Sequence, residues 1–502
     1  MQRDSDFRGS DRFAVLRCLG AGGMGAVYEA FDRERSERVA LKTLRRLDPG
    51  LLYRLKTEFR ALQDLHHPNL VHLGELIEAA GQWFFTMELI EGVDFVSYVR
   101  APPVERGDSY PTMADVPKAR RVVEDANTVD VGGPAIALAL ATPTAMPTPT
   151  PPPSLSLPGG RFDEARLRAS MRGMAEGLVA IHRAGLVHRD VKPSNVLVSR
   201  DGRVVLLDFG LVYEPDGDAS RDDHLVGTPA YMAPEQAGGG NASAASDWYS
   251  VGVTLYQSLT GVLPFRGGAI EVLTAKQAGR PPPPAALLPT VPADLDALCT
   301  ALLTPTPADR PSGEAVLRAL GGAAPELRSG ERTPFVGRRH QLAQLEDAMR
   351  EVRAGRTVAV YVQGNSGMGK SALVEQFLDK VRATDPRSVI LQGRCYERES
   401  VPYKAVDDLI DELCHWLRRQ QHTEALALLP QHVSALARVF PVLEQVEAVA
   451  TVSLGSNERP ELQDLRSRAF GALKELLARI GERRPLVLFI DDLQWGDADS
   501  AA

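Results

Sequence analysis

The sequence predicts two folded domains, an α+β domain and an α/β domain built on a parallel sheet. β-prone runs separated by Gly-rich and charged segments fill residues 13–44, and mostly helical sequence fills residues 161–320. Two short, nearly all-apolar runs, TVAVYVQG and PLVLFID, follow after residue 356. Runs of this kind are typical of strands buried in parallel sheets.

Length and composition are those of a soluble globular protein. The 502 residues allow two to four domains at about 150 residues each, and 44% of them are hydrophobic. The net charge of −8 gives no reason to expect a nucleic-acid partner. The four cysteines lack C-x-x-C spacing, which favours reduced thiols over disulfides or a zinc site. Neither a signal peptide nor a membrane segment is evident, so we expect a cytoplasmic protein.

The elements of the first domain can be predicted in chain order. The segment LYRLKTEFRALQDL has apolar residues at helical spacing, and HHPNL should end that helix. QWFFTMELIEG predicts another buried strand followed by a turn. A second long helix is expected from FDEARLRASMRGMAEGLVAIHRAG, with Gly185 as its stop. One apolar face of that helix contains Leu167, Met171, Met174, Leu178 and Ile181.

Residues 101–160 interrupt this domain with sequence rich in Pro, Thr and Ala. Repeated Pro removes amide donors and resists both helix and sheet, so a disordered surface insertion is expected. A Pro-rich ligand for a partner domain is the alternative interpretation. After residue 320, GGAAPELRSGERTP reads as a linker, placed at residues 321–333.

The first chemical signal is the Gly-rich stretch LGAGGMGAVYEAFD. Gly20, Gly22 and Gly25 form the pattern G-x-G-x-x-G, followed by Val27. Glycines also serve tight turns, and the same pattern occurs in dinucleotide-binding folds. Here the loop runs from strand to strand rather than from strand to helix, which excludes the dinucleotide interpretation.

Further motifs follow in a fixed order. VALK places Lys42 on the third strand, and Glu58 on the following helix is positioned to pair with it. The later motifs VHRDVKPSNVLV, LLDFG and GTPAYMAPE contain His188, Arg189, Asp190, Lys192, Asn195, Asp208, Phe209, Gly210, Ala233, Pro234 and Glu235. These residue types suit phosphoryl transfer, which requires positioning and charge neutralisation.

Each role follows from side-chain chemistry. Asp208 and Asn195 offer hard oxygen ligands for Mg²⁺. Asp190 can accept the proton of a substrate hydroxyl, and Lys192 can stabilise charge on the transferred group. Any one of these residues alone would more often be a helix cap, a turn residue or a solvated charge. Six elements in the right order predict a protein kinase.

The motifs resemble those of the eukaryotic-like (Hanks-type) Ser/Thr kinases of bacteria, over residues 11–320. The resemblance implies a bilobal α+β protein kinase fold, with an N-lobe at residues 11–90 and a C-lobe at residues 161–320. By the same resemblance, Thr228 lines the substrate site, Asp247 lies on a buried helix and Arg310 pairs with Glu235. The implied ATP-binding residues are Gly20, Ala21, Gly22, Gly23, Gly25, Val27, Ala40, Lys42, Met87, Glu88 and Ile90.

A second nucleotide-binding signal lies in GNSGMGKS, which fits G-x-x-x-x-G-K-S/T. Its glycines are Gly364, Gly367 and Gly369. Between a predicted strand and a helix, this loop is expected to bind phosphates, with Lys370 reaching the β- and γ-phosphates and Ser371 binding Mg²⁺.

Two acids after the second apolar run support that site. In RPLVLFIDDLQWGD, Asp491 could organise Mg²⁺ and Asp492 could orient water. Paired acids after a strand can also form a solvated turn. With the phosphate loop upstream, the functional interpretation is favoured.

Residues 334–502 resemble the AAA-type P-loop ATPases of the STAND group, which are signalling switches. The resemblance implies a partial α/β P-loop NTPase domain, because the strands, sensor residue and helical lid that follow the paired acids in this group are not in the sequence.

The predicted function is an ATP- and Mg²⁺-dependent Ser/Thr protein kinase with an attached nucleotide-binding signalling module. Its partners would be protein substrates. Two alternatives stay open at this stage: an ATP-binding pseudokinase scaffold, and a P-loop switch in which the kinase is regulatory. Ser220 is a predicted autophosphorylation site, and the neighbouring charges of Asp222 and Asp223 are expected to contribute order to the same loop; a flexible, solvated charge run is the competing interpretation.

Overall fold

A computed structural model describes most of the chain. The described residues are 7, 9–21, 25–44, 48–79, 81–100, 162–208, 228–237, 242–321, 337–453 and 462–497. The predicted insertion at residues 101–160 lies outside these ranges. So do the predicted site residues Gly22, Gly23 and Ser220, together with the acids that follow Ser220.

An antiparallel sheet forms the N-terminal lobe, as the β-prone runs predicted. Its strands are β1 (Phe13–Ala21), β2 (Gly25–Asp32), β3 (Glu37–Leu44), β4 (Leu73–Ala79) and β5 (Gln82–Glu88), in the order β1-β2-β3-β5-β4. The β2–β3 register sets Val27 opposite Lys42. A Cβ atom on Gly25 would lie 1.9 Å from the Thr43 carbonyl oxygen, so this position requires glycine for strand pairing.

Helix α1 (Pro49–Leu62) lies against this sheet and confirms the helix predicted there. Asp48 caps its N-terminus by accepting a hydrogen bond from the Leu51 N–H at 2.9 Å, and Pro49 occupies the first turn. Leu55 and Phe59 are buried on its sheet-facing side. The same helix carries Glu58.

The C-terminal lobe is mainly helical, and its longest helix confirms the predicted apolar face. Helix α3 (Glu164–Arg183) buries all five of its predicted core residues completely. Gly185 follows with a φ of +76°, and the Leu186 N–H donates to the Ile181 carbonyl, which ends the helix as predicted. The other helices of this lobe are α2 (Phe95–Arg100), α4 (Pro234–Ala237), α5 (Ala244–Thr260), α6 (Ala269–Ala278), α7 (Pro284–Leu287), α8 (Ala293–Leu302) and α9 (Gly313–Ala319).

A small antiparallel sheet lies between the lobes. It contains β6 (Gly92–Asp94), β7 (Val196–Ser199) and β8 (Val204–Leu206). A 3₁₀ turn at Pro193–Asn195 leads into β7, and Asp208 follows two residues after β8. The hairpin therefore brings two predicted metal ligands to the same end of the sheet.

The second domain combines a short parallel sheet with helices. Strands β9 (Val389–Arg394) and β11 (Leu486–Asp491) pair in parallel, and a short strand, β10 (Glu399–Ser400), lies between them in sequence. Its helices are α10 (Arg339–Arg353), α11 (Lys370–Thr384), α12 (Lys404–Arg418), α13 (His422–Leu428), α14 (Val433–Val439), α15 (Glu447–Ser453) and α16 (Leu462–Arg483).

One strand prediction is wrong in this domain. TVAVYVQG forms no strand, and Val360 and Tyr361 are 51% and 77% exposed. Among the described residues no strand pairs with this run, so its apolar side chains do not belong to a sheet. The second run forms β11 as predicted, but β11 is only partly buried because β9 is its single partner among the described strands.

The two domains share a sheet. Strand β10 of the second domain pairs in parallel with β4 and extends the N-lobe sheet to six strands. Within the described ranges, no helix has the length and apolarity needed to cross a membrane.

Candidate functional site

A cleft of about 230 Å³ separates the two lobes. Of the predicted ATP-binding residues, Gly20, Val27, Ala40, Met87, Glu88 and Ile90 line it. A Cβ atom on Gly20 would meet nothing within 4 Å, so glycine there leaves open space above the cleft. Ala21 and Gly25 lie on the adjoining strand ends and do not line the cleft.

The carboxylate of Glu88 is held by two residues that do not line the cleft. Arg203 donates to it at 2.8 and 2.9 Å, and the His72 N–H donates at 2.9 Å. Burial opposes ionisation of Glu88, yet these hydrogen bonds hold its pKa below the usual value. The Glu88 carboxylate is therefore already paired within the protein.

The cleft is also lined by several residues that were not predicted from the sequence, Leu197 and Leu207 among them. Leu197 on β7 and Leu207 after β8 line it from the C-lobe side. The apolar run VLV directly after Asn195 was a signal for Leu197, because successive side chains of a strand point to opposite faces. Together with Val27 and Ala40 from the N-lobe, these side chains give the cleft the two apolar walls that a planar base requires.

Lys42 connects the two halves of the cleft. Its Nζ donates to both carboxylate oxygens of Glu58, at 2.7 and 2.8 Å, and lies 3.0 Å from an Asp208 carboxylate oxygen. Burial opposes the charge on Lys42, but Asp208 and Glu58 raise its pKa above the usual value. Burial likewise opposes ionisation of Asp208, and Lys42 lowers its pKa. Lys42 and Asp208 are therefore both charged near neutral pH.

The predicted catalytic residues converge below the cleft. The amide nitrogen of Asn195 donates to Asp190 Oδ2 at 2.9 Å, and Lys192 Nζ lies 2.8 Å from the same oxygen. Lys192 also donates to Thr228 Oγ1 at 3.2 Å. These contacts bring a carboxylate, an ammonium group and a hydroxyl within hydrogen-bonding distance of one another.

The backbone around Asp190 is fixed by a buried carboxylate. Asp247 on α5 accepts hydrogen bonds from the backbone N–H groups of His188 and Arg189, both at 2.8 Å. His182 Nε2 lies 2.8 Å from the same side chain and was not predicted from the sequence. Arg189 has a φ of +68°, a strained conformation that these contacts maintain beside the catalytic residue.

The oxygen ligands that the protein offers fit a magnesium ion bound mainly through nucleotide phosphates. Asn195 uses its amide nitrogen as a donor, which leaves its amide oxygen as a ligand. The Leu207 N–H donates to the Asn195 carbonyl at 2.8 Å and so fixes Asp208 relative to Asn195. In the described part of the chain, no three His, Cys, Asp or Glu side chains are grouped to hold a metal. Mg²⁺ needs only one or two protein ligands when substrate phosphates supply others.

The segment after Thr228 is held by two buried basic side chains, Lys276 and Arg310. Lys276 donates to the backbone carbonyls of Pro229, Ala230 and Met232 at 2.7–2.8 Å. Arg310 forms a bidentate pair with Glu235, with both distances 2.7 Å, as the sequence predicted. The wall beside the catalytic residues is thus fixed in position.

The second predicted site lies in the other domain. Gly367 and Gly369 have φ values of +77° and +70°, which turn the loop toward the N-terminus of α11. Lys370 Nζ donates to the carbonyls of Gly364 and Asn365, at 3.0 and 3.2 Å. A Lys folded over the loop in this way is positioned for bound phosphates.

The loop contacts the paired acids at the end of β11. Ser371 Oγ donates to Asp491 at 2.7 Å. A hydroxyl and a carboxylate at this distance offer two oxygen ligands for Mg²⁺. Asp492 instead accepts a hydrogen bond from Arg394 at 3.0 Å, so its carboxylate is already paired.

Comparison with known proteins agrees with this geometry. The model of the protein kinase domain family matches residues 13–119 and 154–320. This chain belongs to the protein kinase family. Residues 334–502 of the kinase match a second model, the AAA ATPase domain. The predicted family and fold class are confirmed.

Serine/threonine-protein kinases of mycobacteria are among the proteins similar to this chain. Serine/threonine-protein kinase PknE of Mycobacterium tuberculosis is 30% identical over 337 residues, which are 66% of this chain and 50% of that protein. Its counterpart in Mycobacterium bovis matches to the same extent. Serine/threonine-protein kinase PknA of Mycobacterium tuberculosis is 30% identical over 343 residues, which are 66% of this chain and 65% of that protein. The kinase thus spans between half and two thirds of these relatives.

Proposed function

We propose that this chain transfers the γ-phosphoryl group of ATP to Ser and Thr hydroxyls of proteins. The observation that carries the proposal is the convergence of Asp190, Lys192 and Asn195 below the ATP cleft. An ATP-binding scaffold requires the cleft but has no use for a carboxylate supplied with its own cation and amide. The arrangement therefore favours transfer over binding alone.

Each residue has a defined task in this proposal. Lys42, held by Glu58, positions the α- and β-phosphates of ATP. Asp190 accepts the proton of the substrate hydroxyl while Asn195 holds its orientation. Lys192 neutralises charge on the transferred group, and Thr228 lines the place of the incoming hydroxyl. Asp208 and Asn195 would hold Mg²⁺, which supplies charge neutralisation between the phosphate oxygens.

The proposal extends to the organisation of the chain. The kinase domain would comprise residues 11–320, and residues 334–502 would form a regulatory nucleotide-binding module. In that module Lys370, Ser371 and Asp491 would hold the phosphates and Mg²⁺ of a second ATP. Ser220 is proposed as an autophosphorylation site, and a cytoplasmic location is proposed from the sequence alone.

Radiolabelled ATP and a basic carrier protein such as histone test the proposal. Wild type should label the carrier on Ser or Thr, and Asp190→Asn should lower the rate at least 100-fold, since proton transfer contributes about 10²–10⁴. Asp201→Asn makes the same chemical change on the exposed β7–β8 turn and should keep the wild-type rate.

Two outcomes would contradict the proposal. One is Asp190→Asn retaining more than about a tenth of the rate, given the 100-fold minimum expected. The other is a wild-type chain that binds ATP in the cleft without labelling any protein, which would favour the scaffold. Phosphoamino-acid analysis of the labelled carrier distinguishes transfer to Ser and Thr from transfer to Tyr.

A further inference from the structure

Helix α1 carries charged side chains on two opposite faces. Lys56 and Arg60 are four residues apart and lie on one face, whereas Glu58 lies about 200° away from Lys56 at 100° per residue. Glu58 contacts Lys42 in the ATP cleft. Lys56 and Arg60 contact the second domain. One helix therefore connects the catalytic lysine with the ATPase domain.

The face toward the second domain is a buried ionic cluster. The Lys56 side chain is 2% exposed and donates to Asp407 and Asp411, both at 2.9 Å. The Arg60 side chain is 8% exposed and donates to Asp407, Asp411 and Glu399 at 2.5, 2.7 and 2.8 Å. All three acids belong to the second domain, more than 300 residues away in sequence.

Backbone contacts surround this cluster. The Leu76 N–H donates to the Arg398 carbonyl at 3.0 Å, where β10 pairs with β4. Gln445 Nε2 donates to the Pro49 carbonyl at 3.1 Å, at the start of α1. The second domain therefore touches the start of the helix, its central turns and the adjacent sheet edge.

The second nucleotide site is connected to the same surface. Arg394 at the end of β9 pairs with Asp492 at 3.0 Å and with Asp64, just after α1, at 2.6 Å. The backbone N–H of Arg394 donates to Asp408 at 2.9 Å, and Asp408 pairs with Arg60 at 3.0 Å. A short chain of polar contacts thus joins the acids after β11 to helix α1.

We propose that the ATPase domain is a built-in activator of the kinase, which docks on α1 and keeps Glu58 paired with Lys42. The proposal rests on the kinase activity proposed above. A buried base without its acid is unfavourable, so loss of docking drives Lys56 and Arg60 toward water. Because the helix moves as a unit, that shift carries Glu58 away from the cleft. Positioning of this ion pair then depends on a domain that contributes no catalytic residue.

The test removes the docking acids in the full chain. The variant Asp407→Ala with Asp411→Ala is compared with Asp347→Ala plus Asp379→Ala, two exposed acids of the same domain. Hydrogen exchange of the α1 amides reports docking, and phosphoryl transfer reports activity. The docking variant should speed α1 exchange and lower kcat/KM, each at least tenfold, while the control variant matches wild type. Unchanged exchange in α5 shows that the C-lobe stays folded.

A second background separates positioning from general stability. In Glu58→Gln the ion pair is already lost, so adding the docking variant should lower the rate less than twofold further. A loss as large as in the wild-type background would overturn the proposal, because the domain would then act without this ion pair. Faster α1 exchange with an unchanged rate would overturn it as well, and so would unchanged exchange. A wild-type chain that shows no Asp190-dependent phosphoryl transfer would instead refute the proposed function. Docking of the second domain on α1 would still be measured independently by hydrogen exchange.

Discussion

Replacing Arg310 by Ala should destabilise the C-lobe strongly. The Arg310 side chain is fully buried, and it donates to both Glu235 oxygens and to the carbonyls of Thr304, Ala245 and Pro305. Burial opposes ionisation of Glu235, but the hydrogen bonds from Arg310 hold its pKa below the usual value. Truncation leaves this carboxylate charged and largely buried beside the catalytic wall.

The magnitude follows from the burial of the pair. Removing one member of a buried pair costs about 3–5 kcal/mol. At about 2–4 °C per kcal/mol for a domain of this size, the melting temperature should fall by about 6 to 20 °C. Arg310→Lys keeps the charge but has three donors for these five acceptors. Its melting temperature should therefore fall, but by less than that of Arg310→Ala.

Calorimetry on the full chain measures the effect. Arg318→Ala removes an exposed arginine from the neighbouring helix α9 and should change stability by no more than about 0.5 kcal/mol. A double-mutant cycle with Glu235→Gln should show strong non-additivity, because both changes remove the same pair. If Arg310→Ala melts within 2 °C of Arg318→Ala, on the order of 1 kcal/mol, the buried pair does not stabilise the lobe as argued.

Three further predictions concern the two nucleotide sites and their connection. Lys42→Met should abolish transfer, with at least 10²-fold loss of rate and unchanged circular dichroism, because it removes charge beside the phosphates; a residual rate above about a tenth would contradict this. Arg394→Gln should lower the rate at most about fivefold, since this arginine is 42% exposed and exposed pairs contribute about 1 kcal/mol or less; a 100-fold loss would contradict this. Burial and the neighbouring Asp407 raise the pKa of Asp411 to about 6 despite Lys56, so docking takes up a proton. Docking should therefore weaken as pH rises through 6. Hydrogen exchange of the α1 amides, corrected for the pH dependence of intrinsic exchange rates, measures this, and Asp411→Asn should remove the dependence.

The kinase site could be predicted from sequence because its residues occur in short motifs with fixed spacing. Asp190, Lys192 and Asn195 lie within six residues, so a turn and a strand are enough to bring them together. Lys42 and Glu58 are 16 residues apart and require only a strand followed by a helix. Local periodicity and turn chemistry carry that information.

Other contacts have no local signal. Lys56 and Asp407 are separated by 351 residues, and nothing in either segment identifies the other as its partner. An amphipathic helix shows that it has a polar face, but not whether water or a second domain covers that face. The strand prediction for TVAVYVQG was wrong for a related reason. Its composition is that of a buried strand, but composition does not show whether the fold provides a partner strand for it.

The interface between α1 and the second domain is built from charged residues, and this determines how docking responds when one of them is removed. The bases Lys56 and Arg60 meet four acids, because Asp408 joins the three acids of the buried cluster through its pair with Arg60. The cluster therefore carries a formal charge of −2. Apolar residues of the same size would often hold two domains together as well or better, since buried pairs gain little over their desolvation. An ionic interface differs from an apolar one when one member of a pair is removed, because the partner charge is then buried without compensation. A contact of this kind favours a docked or an undocked helix over intermediate positions, and it fixes which face of α1 the second domain can meet.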